Sequence, residues 1–312
     1  MLMTTPYANS VFEQPWWLDI VAGGAWGEVT VEEEGETVAR LPYMLQSGRI
    51  VMPPLTQTLG PWIKPEYRQF QPGNTQLSKQ KELISALLGQ LPAHKSFHMT
   101  FDSANEYILP YRWLGYRYEP TFSYRLSDLS DLDALYANFN KTAKKNIKYA
   151  KNKTVLAQMP TAEMLLSLLD KTFEAQGRKW PHGRELTRRL IEQSVENGHG
   201  KLLIAQDGEG NLHSGAFLLY DEKVCYYLLG GSDSAFRSSG AQSLVLWEAI
   251  RFASTVSKAF DFEGSNVEGI ENFFRQFGGS RVINYSVIRQ SLFADCMELA
   301  KPRVKRLIGY KI

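Results

Sequence analysis

The sequence predicts an α/β protein in which mixed sheets are covered by helices, and three observations predict it. Strand-like and helix-like segments alternate through the second half of the chain. The order helix, strand, acidic glycine turn, strand occurs twice, which points to a duplicated α/β unit. Residues 226–253, YYLLGGSDSAFRSSGAQSLVLWEAIRFA, lead an apolar strand through a polar, glycine-containing turn into a long amphipathic helix.

The elements follow in order. Residues 13–22 read as a helix, 27–33 and 37–45 as strands joined by an acidic turn at Glu34-Gly35. Pro53, Pro54, Pro61 and the Pro72-Gly73 connection predict a long loop. Helices fit 76–88 and 105–114, and strands fit 96–101 and 116–126. A boundary is expected near 127–132, in the run SDLSDLD that starts at Ser127, where helix-start residues follow a strand, giving domains 1–130 and 131–312. Beyond it, 161–176 is helical. The repeated unit comprises helix 186–196, strand 201–206, the turn Asp207-Gly208-Glu209-Gly210-Asn211 and strand 212–220. Helix 239–256, strand 259–262, helix 267–276, strand 282–289 and a terminal helix complete the chain.

The composition bounds the function. In 312 residues, 35 Lys+Arg against 33 Asp+Glu leave a net charge of +2, so no global field recommends DNA or an anionic membrane. Cys225 and Cys296 form no Cys-x-x-Cys pair, and His94, His98, His182, His199 and His213 lack ligand spacing, so no metal is expected. The amino-terminal segment has neither a basic start nor an apolar core, and no uncharged run approaches the roughly 18 residues of a membrane span. A cytoplasmic location is the expectation.

Two local features suit anions. The turn opening the helix after residue 239 carries Arg237, Ser239, Gly240 and Ala241, and the first turn of a helix offers unpaired N–H groups and a positive dipole end to phosphate. An ordinary strand-to-helix turn has the same pattern. On a helix, Lys141, Lys144, Lys145 and Lys148 of KTAKKNIKYAK share one face. That face is either solvated or a site for a polyphosphate or the tRNA backbone.

Several residues together carry a family resemblance: the opening FEQPWW from Phe12, the lysine helix KTAKKNIKYAKN, KTFEAQG from Lys171, Gly230-Gly231 before the Arg237 turn, and FDFEGSNVEGIENFFRQFGG from Phe260. The chain resembles the FemAB-like, or BioF2-like, acyltransferases of the GNAT superfamily, relatives of the Fem peptidyltransferases. Arg237-x-x-Gly240 is similar to the GNAT pyrophosphate loop, with Gln242 standing where that loop has a small residue. The resemblance implies two tandem GNAT-like domains facing a cleft, with the donor on the second. It also implies transfer of an acyl group to a small-molecule or peptide amine, from acyl-CoA or from aminoacyl-tRNA. The tRNA-dependent members act on a cell-wall precursor, but the long helical arm of some Fem enzymes has no counterpart here. A non-catalytic binding protein that kept the fold, or an RNA-binding protein using the lysine face, are the competing readings.

Such a transfer needs a neutral amine, a polarised carbonyl and a protonated leaving group. Glu263, just past a short strand, could accept a proton, or could belong to helix-entry capping around Ser265 and Glu268; Asp261 is a second candidate. Tyr227 could protonate the leaving group or belong to the core. Trp180 and His182, in a Trp-Pro-His-Gly loop, and Phe273 are candidate acceptor contacts, with a structural turn and core packing as their alternatives.

Overall fold

The computed structural model describes residues 3–69, 75–178, 180–263 and 268–290. In chain order its elements are α1 (Pro15–Ala22), β1 (Trp26–Glu33), β2 (Glu36–Gln46), β3 (Arg49–Val51), β4 (Trp62–Ile63), α2 (Gln76–Gln90), β5 (Phe97–Phe101), α3 (Leu109–Trp113) and β6 (Arg117–Leu126). They continue as α4 (Leu132–Asn138), α5 (Lys141–Lys151), β7 (Val155–Leu156), α6 (Ala162–Ala175), α7 (Arg184–Glu196), β8 (Gly200–Gln206), β9 (Leu212–Tyr220) and β10 (Val224–Ser232). A 3-10 turn (Ser234–Ser239), α8 (Ala241–Val256), β11 (Ala259–Asp261), α9 (Glu268–Phe274) and β12 (Ser280–Arg289) follow. The expected terminal helix lies outside the described residues, as do Gly264 and Ser265.

The chain divides into two units. A small unit comprises the described parts of 5–9, 22–120 and 284–312, and a large unit those of 1–4, 10–21 and 121–283. In the small unit the strands run β1-β2-β3-β5-β12, with β4 also pairing β2, opposite β1 and further back along the edge that β3 takes. β3 and β5 are parallel and the other pairs antiparallel. Glu34 and Gly35 both adopt positive φ (51° and 81°) between the paired Glu33 and Glu36, the signature of a two-residue hairpin turn that follows the strand twist.

In the large unit the order is β6-β11-β10-β9-β8-β7, all antiparallel except β10 beside β11. β9 is buried along almost its whole length, as expected of a strand covered on both faces. Side-chain alternation explains how: Leu203, Ala205, Ala216, Leu218, Cys225 and Tyr227 share a core with Ala143, Ile147 and Ala150 of α5 and Leu244, Val245 and Ala249 of α8. On the opposite face Gly215 and Gly231 admit α6. A Cβ on Gly231 would stand 2.9 Å from the Leu168 carbonyl carbon, so only glycine lets the backbones approach.

Local capping fixes the helix starts. Asp131, Asn140 and Thr161 each accept a hydrogen bond from an N–H three residues on, at the heads of α4, α5 and α6. The helix expected over 105–114 is shorter, Leu109–Trp113, because Asn105 is held in a turn by the Asp102 carbonyl and Pro110 sits at the helix start. Likewise the helix expected from residue 13 begins only at Pro15, after a separate 3-10 turn at Val11–Glu13. No helix among the described residues is long and apolar enough to cross a membrane.

Candidate active site

β10 and β11 are parallel neighbours over three residue pairs, ending at Tyr226–Asp261. β11 stops there, whereas β10 continues to Ser232 through a bulge at Leu228, where Tyr227 faces Leu218 and Leu229 faces Phe217. Ends of parallel strands that part in this way are where α/β sheets bind ligands, and a bulge frees backbone groups locally.

At the end of β11 the Asp261 side chain, 3 % exposed, gathers three donors. The Ser123 hydroxyl donates to Oδ1, Arg125 Nε donates to Oδ2 at 2.8 Å, and the Glu263 N–H donates to Oδ1 at 2.9 Å. Its acceptor capacity is largely spent on holding β6 to β11 and on shaping the next turn. Glu263 is different. Its backbone has φ 57°, a left-handed conformation that costs a non-glycine residue about 1–2 kcal/mol, and such strain concentrates at functional sites. Both carboxyl oxygens are buried without a hydrogen-bond partner among the described residues. Burial, and next the negative charge of Asp261, push its proton affinity well above the carboxylate range, while Arg125 opposes them.

Tyr227 is buried, and its hydroxyl also lacks a partner among the described residues. It lies against Gly230, where a Cβ would come within 2.5 Å of the oxygen, and its ring is 5.7 Å from that of Phe274. Burial raises its phenol pKa, so the group keeps its proton and can only donate it at cost. Alternation along paired strands puts Tyr227 and Phe262 on the α5 and α8 face, and Asp261 with Ser123 and Arg125 on the other. The three candidate catalytic residues thus do not form one contact group.

The second locus is the head of α8. Gly240, the residue before the helix, has φ 73°, and the position of its missing Cβ is 2.5 Å from the Asn146 carbonyl oxygen of α5. Two independent sequence candidates, the Arg237 turn and the lysine helix, are therefore packed against each other. Ser239 and Ala241 are buried, and the Ser239 hydroxyl takes the Ala241 N–H at 3.2 Å, while Ser243 N–H goes to the Gly240 carbonyl at 3.0 Å. Arg237, Lys145 and Lys148 remain exposed, and Lys144 donates to the Ala137 carbonyl at 2.6 Å. What survives for an anion is an exposed guanidinium and ammonium groups around a helix head partly closed from within.

The acceptor candidates are dispersed. Trp180 is half-buried, with its ring 5.5 Å from Phe173 and its indole N–H without a partner among the described residues; His182 is exposed. Phe273 packs 5.4 Å from Phe277 at the margin of the large-unit core, and the structure brings it near neither of the other two through any described contact. Sequence reasoning missed Ser123 and Arg125. An arginine inside an otherwise strand-like run was the available signal; its partner lies 136 residues away.

A family model described as an acetyltransferase (GNAT) domain matches residues 111–273, just over half of the chain. No curated protein matches the sequence. Among solved structures, FemX is similar with a TM-score of 0.66 at 13% identity, over 90% of this chain and 92% of that one. The C-terminal domain of a putative lysylphosphatidylglycerol synthetase from Agrobacterium fabrum is similar with a TM-score of 0.58 at 12% identity, over 92% of this chain and 91% of that one. A further likeness is to L-PGS from Bacillus licheniformis, at 0.54 and 13%, over 94% and 91%. With the parted strands and helix head above, these matches identify the architecture: the chain belongs to the GNAT acetyltransferase domain family and has a Fem-like form of its fold.

Proposed function

We propose that the protein is an N-acyltransferase, moving an acyl group from acyl-CoA to the amine of a small-molecule or peptide acceptor in the cytoplasm, with the donor on residues 131–312. The observation that carries this reading is Glu263: a buried carboxyl without a described partner, with raised proton affinity, at the point where β10 and β11 part. A carboxylate in that state is a stronger base than one in water and is matched to taking a proton from an ammonium-forming nucleophile. In the step proposed, the amine nitrogen bonds to the thioester carbonyl carbon and its proton passes to Glu263. The C–S bond then breaks, and the thiolate leaves with a proton from Tyr227 or solvent. Backbone freed by the Leu228 bulge polarises the carbonyl. Arg237 and the head of α8 take the donor's phosphates, with Lys145 and Lys148 adding long-range attraction.

Aminoacyl-tRNA is the second donor, favoured specifically by the row of exposed lysines on α5. Isothermal titration separates the two. Acetyl-CoA is expected to bind with one-to-one stoichiometry and lose about tenfold or more in affinity on Arg237→Ala. Binding of charged tRNA with no heat from acetyl-CoA would transfer the assignment to the tRNA donor, and binding of neither would overturn both.

A further inference from the structure

Arg237 follows a kink. Within the 3-10 turn Ser234–Ser239, Phe236 departs from helical geometry (φ −107°, ψ 17°), so the direction in which Arg237 leaves the turn depends on what holds Phe236. Its ring lies 4.0 Å from the imidazole of His213 at an interplanar angle of 9°, a stacked pair. His213 is 6 % exposed, and its Nε2 is 3.2 Å from Asp207 Oδ2. Asp207 is itself immobilised: it accepts from the N–H groups of Glu209 and Asn211 and from the Asn211 amide, which together with His213 hold its carboxyl down at about 2. The acidic glycine turn between β8 and β9 is thereby connected, through one imidazole, to the turn that presents Arg237.

The start of the same turn is held independently. The Asp233 N–H donates to the His213 carbonyl at 3.0 Å, its side chain accepts the Ala235 N–H at 2.9 Å, and Lys171 Nζ donates to it at 2.5 Å. The far end is set by Gly240 against Asn146. Between these fixed ends the only described ring contact on the kinked residue is His213.

We infer that His213 is a positioning residue for the acyl donor: oriented by Asp207, it holds the Phe236 kink so that Arg237 is presented to the donor's phosphates before the donor arrives. The inference rests on the donor reading above for its ligand, but the geometry of the clamp does not. Preorganising a loop raises affinity by removing the cost of ordering it on binding.

The experiment joins two measurements on the full chain. Hydrogen–deuterium exchange without ligand is expected to speed up across 235–239 in His213→Ala, and to remain near wild type in His213→Phe, which keeps a stacking ring. Titration with acetyl-CoA is expected to show His213→Ala weakened roughly threefold to tenfold, the weight of one aromatic pair. That loss should vanish when Arg237→Ala is already present, because His213 acts through Arg237. Phe236→Leu, which leaves His213 in place, serves as the second route to the same loss should His213→Ala not fold. Unchanged exchange in the stack-breaking variants, or a loss that adds fully to that of Arg237→Ala, overturns the inference. If Arg237→Ala binds acetyl-CoA as wild type does, it is the donor reading that fails, and the exchange result alone then decides whether His213 holds the turn.

Discussion

Both units close charged pairs, but the large unit also holds buried polar groups that the described residues leave unpaired. In the small unit charges close upon one another: the buried Arg40 donates to Glu28 at 2.7 Å and to the Tyr7 carbonyl, Lys64 pairs with Glu36 at 2.8 Å, and Lys79 pairs with Glu33. The large unit also closes pairs, Arg125 with Asp261 at 2.8 Å and Lys171 with Asp233 at 2.5 Å, but beside them Glu263 and Tyr227 have buried side-chain oxygens without hydrogen-bond partners among the described residues, and Arg237 is exposed. The difference teaches where to look for the proposed chemistry: at buried groups whose hydrogen bonding is incomplete among the described residues. An unsatisfied buried carboxyl costs stability.

The comparison breaks first at Glu263. Glu263→Gln keeps the shape but not the base, and is expected to lower kcat/KM for acyl transfer from acetyl-CoA to amines by about 10²–10⁴-fold, measured as thiol release. Replacing Lys64 with Ala, at a surface pair of the small unit, is expected to leave that rate alone and to cost less than about 1 kcal/mol of stability. A rate that follows Lys64 and not Glu263 would reverse the assignment.

Stability against pH sharpens the same contrast. Because the folded state raises the Glu263 pKa, the neutral form is favoured: the stabilising effect is complete below the unfolded value of about 4.3 and is lost as pH rises through the folded value. Glu263→Gln, which cannot ionise, should therefore melt above wild type at pH 8 and with it near pH 4. A difference of constant size across that range would mean that ionisation of Glu263 is not what burial opposes.

A pair of glycines offers a smaller but direct comparison. Gly240 in the large unit and Gly35 in the small unit both have positive φ, 73° and 81°, yet a Cβ at Gly35 meets nothing within 4 Å while one at Gly240 strikes the Asn146 carbonyl. Gly35→Ala should cost about 1 kcal/mol in urea unfolding, from the backbone alone, and Gly240→Ala about 2 kcal/mol or more with a loss of donor affinity. Equal costs would remove the close approach of α5 to the helix head. The smallest effect belongs to the lysines: Lys145→Ala and Lys148→Ala should barely change acetyl-CoA affinity, while for a tRNA ligand each would reduce the salt slope by about one.

Much of this fold is legible in the sequence for identifiable reasons. The α5 helix shows a strong amphipathic pattern behind an Asn140 cap, and β9 is a long apolar run between turns, so local signals and tertiary packing agree. The helix expected over 105–114 is shortened where a local backbone turn at Asp102 and the proline at 110 outweigh periodicity. Within the candidate site, Arg237, Gly240 and Glu263 are visible because turn chemistry is local. Ser123, Arg125 and His213 were not, since their significance lies in partners reached only by strand pairing or by the stack on Phe236. No spacing in a single chain encodes which carboxyl finds partners, and the absence of one among the described residues is what separates Glu263 from Asp261.

The most direct measurement is the pH dependence of acyl transfer from acetyl-CoA to an amine that wild type accepts, compared between wild type and Glu263→Gln. The account predicts a rate that climbs with pH through a single ionisation lying well above the ordinary carboxylate range, and the disappearance of that limb in Glu263→Gln. An identical profile in both proteins would contradict it.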